Sequence, residues 1–254
     1  MTRPSMDELR EVCQPASTMQ RRNAEHWLAR LFLRAVSLRA TAVLIRLPVT
    51  ANQLTGLMIV VGLVAVVPGA LAGPWTALAC WALVIVYFLL DLCDGEVARW
   101  HRQTSVTGVY LDRLGHYVVE AALLASFGLR AGEQALGGWS TVGLLTALLA
   151  ILVKAETDLV DVARVRSGLT KAEDGAAELR SRRLGGVRRV ASVAKVHTWT
   201  GALEASLLLL VAAVVDALVG GLTATRFLVG LLFGIAAVMS VLHLVSILSS
   251  RRLA

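Results

Sequence analysis

Long apolar runs broken by short polar or glycine-containing stretches set the pattern of this chain. Windows of about twenty predominantly apolar residues, the length a helix needs to cross the hydrocarbon core, fall at 54–71, 74–92, 106–127, 136–153, 196–215 and 227–248. An all-α integral membrane fold with six transmembrane helices is therefore expected. Ahead of these, residues 20–47 interleave Arg21, Arg22, Arg30, Arg34, Arg39 and Arg46 with Trp27, Leu28, Leu31, Phe32, Leu33, Val36, Leu38 and Leu44. A basic amphipathic helix of this kind lies in the headgroup plane. Its expected role is an anchor, with gating of lipid or acceptor as the alternative. Residues 1–19 are polar, contain Pro4 and Pro15, and are expected to form a disordered tail. The expected organisation is thus a tail at 1–19, an interfacial amphipathic helix at 20–47 and a six-helix domain at 48–254. No cleavable leader is expected, because a long charged stretch opens the chain where a short basic region and a hydrophobic run would be needed.

Composition strengthens the membrane reading: 56% of the residues are hydrophobic and the mean hydropathy is +0.68. The net charge of +7 does not point to nucleic acid, because no nucleic-acid module or aromatic-interleaved basic run accompanies it. Arginine and lysine beside apolar spans are better read as contacts to anionic lipid. Of the 25 basic residues, only Arg130 and Arg226 fall in the expected outer loops, which by the positive-inside rule puts both termini on the cytoplasmic side of a cell membrane. The three cysteines, Cys13, Cys80 and Cys93, have neither metal-binding nor disulfide spacing. Glu204 and His243 lie within apolar windows, where a dimer contact or an interhelical hydrogen bond is expected.

Charge inside a bilayer is costly and marks function, which directs attention to two adjoining helices. Asp91, Asp94, Gly95, Ala98 and Arg99 follow one another at i, i+3, i+4, i+7 and i+8, so they share a helical face. Gly108, Asp112, His116 and Glu120 form a second single-faced row on the next helix. A short polar connection near 101–107 would pack the two antiparallel and bring the polar ends together. Three carboxylates that converge without cysteine suit magnesium, manganese or calcium, and magnesium commonly retains phosphate oxygens in its shell. The small residues Gly95, Ala98 and Gly108 leave room for a ligand or a neighbouring backbone.

The order D-x-x-D-G-x-x-A-R, eight residues, then G-x-x-x-D resembles the signature of the CDP-alcohol phosphotransferase family, matched at Asp91, Asp94, Gly95, Ala98, Arg99, Gly108 and Asp112. In that family a fourth aspartate closes the pattern and deprotonates the acceptor alcohol; this chain has His116 there. Asn52 and Thr55 resemble the family's P-N-x-x-T entry to its first span, with Pro48 displaced from its usual place next to the asparagine. The resemblance implies transfer of a substituted phosphate from a CDP-alcohol, most readily CDP-diacylglycerol, to a hydroxyl acceptor in phospholipid biosynthesis, with release of CMP. It also implies Mg2+ or Mn2+ held by Asp91, Asp94 and Asp112, a homodimer, and an active site facing the cytoplasm. Neutral imidazole is a competent base near neutral pH, and Glu120, one turn on, is placed to hydrogen-bond its second nitrogen. The alternatives for His116 are a metal ligand, an acceptor contact or a mark of lost activity. For a phosphorylated acceptor, Lys154 and Arg180, Arg182 and Arg183 are the candidates, within a charged connection that otherwise reads as a solvated loop. Two rival functions remain open: transfer of a CDP-linked head group to a lipid alcohol, and a catalytically silent CDP-lipid binder.

Overall fold

The computed structural model describes residues 4–15, 32–170 and 198–249. Among these residues the chain is all-helical: α1 (Met6–Cys13), α2 (Arg34–Leu44), α3 (Ala51–Ala70), α4 (Pro74–Trp100), α5 (Val106–Ala131), α6 (Gly138–Arg166), α7 (Ala202–Val219) and α8 (Thr223–Ser249). Five of the eight, α3, α4, α6, α7 and α8, are long and apolar enough to cross a membrane. The window at 106–127 is helical, as α5, but it is not among the helices apolar enough to cross a membrane, because Asp112, Arg113, His116, Glu120 and Arg130 make it too polar. Several helices run past their apolar windows: α4 continues to Trp100, and α6 continues for three further turns beyond 153 to Arg166. Large aliphatic side chains such as Val60, Val67, Leu148 and Val241 are well over half exposed, as a surface meant for lipid requires.

By its contacts the chain divides into two units. The first comprises residues 1–68 and 78–119, and so holds α1, α2, most of α3 and α4, and the first half of α5. Here Met6–Cys13, expected within a disordered tail, is helical. Ser5 caps it by accepting from the Glu8 amide at 3.1 Å, and Asp7 and Glu8 sit in the first turn, where the helix dipole favours acids. Leu9 and Cys13, one turn apart, are fully buried against Leu38, with Ala42, Ile45 and Trp100 alongside. A two-residue apolar stripe is easily lost in a polar octapeptide, and its partners come from α2 and α4. The expected amphipathic helix at 20–47 is described only from residue 32 on, and there its polarity is partly reversed. The buried side chains of α2 are Arg34, Ser37, Leu38 and Thr41, whereas Phe32, Val43 and Leu47 are exposed. Two hydroxyls point inward because a buried carboxylate on α4 needs donors.

The second unit comprises residues 69–77 and 120–254. Arg130 is fully buried in it and donates to the carbonyls of Leu71 and Gly73. Arg226 likewise donates to the Ala131 carbonyl at 3.0 Å and pairs with Glu133 at 2.9 Å. Both arginines assigned to outer loops therefore satisfy carbonyl groups left over at helix ends. His243 Nε2 lies 3.0 Å from the Thr157 hydroxyl, an interhelical hydrogen bond between α8 and α6. The backbones of α5 and α6 approach most closely at Gly128 and Gly143, where a Cβ on Gly143 would lie 2.7 Å from the Gly128 Cα. Gly143→Val should therefore force the helices apart, at a cost of about 1–3 kcal/mol or more. It should lower the thermal unfolding midpoint in detergent; an unchanged midpoint would contradict this crossing.

Candidate active site

The acidic face of α4 and the polar row of α5 meet in the first unit. His116 Nε2 lies 3.1 Å from Asp91 Oδ1 and 3.5 Å from Asp112 Oδ1. One ligand atom from each of the three side chains falls within 4.8 Å of the others. Atoms bound about 2.1 Å from a shared ion lie at most roughly 4.2 Å apart, so only a small contraction is needed for the set to hold one. The donors, two carboxylates and one imidazole, suit that role chemically: carboxylate oxygen fits magnesium and manganese, and imidazole widens the choice among transition metals. Asp91 and His116 are about four-fifths buried, which leaves the cluster reachable from one side.

The other ring nitrogen of His116, Nδ1, is 2.7 Å from the Tyr87 hydroxyl. Tyr87 and Phe88 flank the imidazole with ring centroids at 5.7 and 6.3 Å, so its plane is held by contact as well as by hydrogen bonds. The sequence suggested Glu120 as the partner of this nitrogen. Glu120 instead places Oε1 2.6 Å from the Lys154 ammonium, an ion pair in the second unit. Tyr87 escaped sequence reading although it stands one turn before Asp91 on the same helical face, a spacing that could have exposed it.

Asp94 stands apart from the Asp91, Asp112 and His116 set. It is buried and accepts from the Thr55 hydroxyl at 2.5 Å, which joins α4 to the first turns of α3. Asn52, expected to share the nucleotide site, meets Gly108: a Cβ there would lie 2.8 Å from Asn52 Oδ1. Glycine at 108 is what permits that approach. Beside Gly95 lies the guanidinium of Arg99, 3.2 Å from where a Cβ would stand, and its Nε donates to the Cys13 carbonyl at 2.6 Å. Ala98 is half-buried on the same helix. Arg180, Arg182 and Arg183 lie outside the described residues.

A second feature without a sequence signal supports the site from behind. Glu96, between the signature residues, is completely buried. Its Oε1 accepts from Gln14 Nε2 at 2.7 Å and the Ser37 hydroxyl at 2.8 Å, and its Oε2 accepts from the Thr41 hydroxyl at 2.7 Å. A buried carboxylate is tolerable only with donors of this kind. Three donors from α1 and α2 therefore pin both helices to the end of α4 that carries Asp91 and Asp94. Burial pushes the Cys13 thiol up to about 11, which keeps it protonated beside the Glu96 carbonyl at 3.5 Å.

The sequence model of CDP-alcohol phosphatidyltransferases matches residues 48–249. The chain belongs to this family. Membership makes it a transferase of the group that moves a phosphoalcohol from a CDP-alcohol in lipid synthesis, and the apolar helices make it a multi-pass membrane protein. The matched region holds α3 to α8 and every signature residue, with α1 and α2 lying before it. A search of curated proteins finds no match to the chain.

Proposed function

We propose that the protein transfers a phosphatidyl group from CDP-diacylglycerol to the hydroxyl of a small soluble acceptor, releasing CMP, with Mg2+ or Mn2+ held by Asp91, Asp112 and His116. The observation that carries this reading is the convergence of those three side chains at the mouth of a family-defining motif. Asp91 and Asp112 supply hard anionic oxygens, and His116 supplies Nε2 in place of the fourth carboxylate. Tyr87 orients the ring: its hydroxyl can accept from Nδ1–H and so leave the Nε2 lone pair directed at the carboxylate pair. A bound divalent ion supplies charge neutralisation on the diphosphate and on the departing CMP.

We assign the nucleotide to the neighbourhood of Asp94, fixed by Thr55, and of Asn52 beside Gly108. Gly95 and Gly108 leave backbone surface open for close approach. With both imidazole nitrogens engaged, His116 is better suited to ligation than to accepting the acceptor's proton. That assignment is affordable chemically, because phosphoryl transfer runs through a loose transition state in which positioning and electrostatics dominate. The basic connections support a site on the cytoplasmic side, and this reading takes α5 as a sixth span. The assembly we infer is a homodimer, as is usual in the family.

A donor test separates this reading from its rivals. Purified protein with Mn2+ or Mg2+ and a panel of hydroxyl acceptors should release CMP from CDP-diacylglycerol and not from CDP-choline. Release from CDP-choline with diacylglycerol would establish head-group transfer instead. No release from either donor would leave a CDP-lipid binder.

A further inference from the structure

The C-terminal end of α1 is fastened to a single turn of α4, the one that closes the signature. Cys13 Sγ donates to the Glu96 carbonyl at 3.5 Å, and Gln14 Nε2 donates to Glu96 Oε1 at 2.7 Å. In the opposite direction, Arg99 Nε donates to the Cys13 carbonyl at 2.6 Å. That carbonyl belongs to the last turn of α1, where helix carbonyls have no partner within the helix, and the negative end of the helix dipole favours a cation there. Behind these bonds, Leu9 and Cys13 are fully buried against Leu38, with Trp100, the residue after Arg99, alongside. All of α1 precedes the region that the family model matches, so a signature residue is held by a segment outside it.

Nε supplies only one of the guanidinium's N–H donors. Helical side chains lean toward the N-terminus of their helix, and Arg99 accordingly lies back over Gly95, with its two terminal nitrogens 3.2 and 3.4 Å from where a Cβ would stand. Those nitrogens make no hydrogen bond or ion pair with a described residue. Given the function proposed above, in which the nucleotide lies beside Asp94, we propose that α1 positions Arg99 for the diphosphate of the CDP-alcohol. With Nε tied to the Cys13 carbonyl, the guanidinium plane is fixed, and its remaining donors form the fork that phosphate oxygens take in pairs. Cys13 and Gln14 act through Arg99 and the turn that carries it, so they are positioning residues. Released from α1, Arg99 is a long side chain that must be frozen at each binding event, which weakens binding by about threefold to tenfold.

Calorimetric binding of CDP, with Mg2+ present, to the full chain in detergent tests this without turnover. Leu9→Asp, which detaches α1 at its buried contact, should weaken CDP binding by about threefold to tenfold. Leu9→Met, which keeps that contact, should bind as the wild type does. Arg99→Ala should weaken binding by about tenfold to a hundredfold, the loss of charge-assisted hydrogen bonds. In the Arg99→Ala background Leu9→Asp should add nothing, because α1 then has no guanidinium to hold; a merely structural role would give the same loss in both backgrounds. Gln14→Ala leaves the apolar contact of α1 intact and should weaken CDP by about twofold or more, again only when Arg99 is present. It decides the matter if Leu9→Asp lowers the yield of folded protein. Wild-type affinity in the folded α1 variants, equal losses with and without Arg99, or no CDP binding by the wild type would overturn the proposal. A chain that binds CDP and shows the α1 effect, yet releases no CMP from CDP-diacylglycerol, would leave it standing and sink only the transfer reaction.

Discussion

Asp91→Asn and Asp112→Asn should each reduce CMP release by roughly 10³-fold or more. Each change removes a hard anionic oxygen from the cluster while keeping the side chain's shape. A metal's stabilisation of transition-state charge amounts to several kcal/mol, and each 1.36 kcal/mol, about one decade in rate, is lost with it. Asparagine keeps a carbonyl oxygen, so the fold around His116 should survive, and an unchanged unfolding midpoint would show that it has. Asp94→Asn provides an internal contrast. Its carboxylate accepts from Thr55 and lies outside the three-residue set, so its loss should act on the nucleotide and on helix packing more than on metal requirement. Steady-state CMP release as a function of metal concentration separates these cases. Wild-type turnover in either the Asp91 or the Asp112 variant would end the metal assignment.

His116→Ala should raise the metal concentration needed for half-maximal activity by about 10- to 100-fold or more, the range seen when even an outer-shell partner of a metal ligand is removed. His116→Asp should recover much of the loss, because it restores a carboxylate at the same helical position. Tyr87→Phe should shift the metal requirement in the same direction by a smaller factor, since it frees the ring without removing the ligand. A base would behave differently: the alanine variant would lose turnover at saturating metal with its metal requirement unchanged, by about 10²- to 10⁴-fold. An alanine variant equal to the wild type in both quantities would remove His116 from the reaction.

Much of the site was legible because its residues lie within one stretch of two helices. Asp112 and His116 are one turn apart on α5 and Asp91 opens the single-faced row on α4, and pitch alone predicts which side chains of one helix share a face. The apolar windows found every long helix for a similar reason, since backbone groups in lipid must be paired within the helix. What the sequence hid was pairing across distance. Glu96 finds its donors at residues 14, 37 and 41, and nothing local in those segments announces that they are partners. The same long-range network turned a polar octapeptide into α1 and drew the hydroxyls of α2 inward, against the expectation of a tail and a simple amphipathic anchor. For the second ring nitrogen of His116, Glu120, one turn further along the same helix, was the natural candidate. The hydroxyl that takes that place comes from α4, and Glu120 serves Lys154 instead.

The most direct measurement is acceptor-dependent CMP release from CDP-diacylglycerol by the purified chain, first stripped with EDTA and then resupplied with Mg2+ or Mn2+. Release should be absent after chelation, return with either ion, and require an added hydroxyl acceptor whose phosphatidyl product appears in equal amount. CMP release that persists in EDTA, or that never appears with any acceptor in the presence of metal, would contradict a metal-dependent CDP-alcohol transferase.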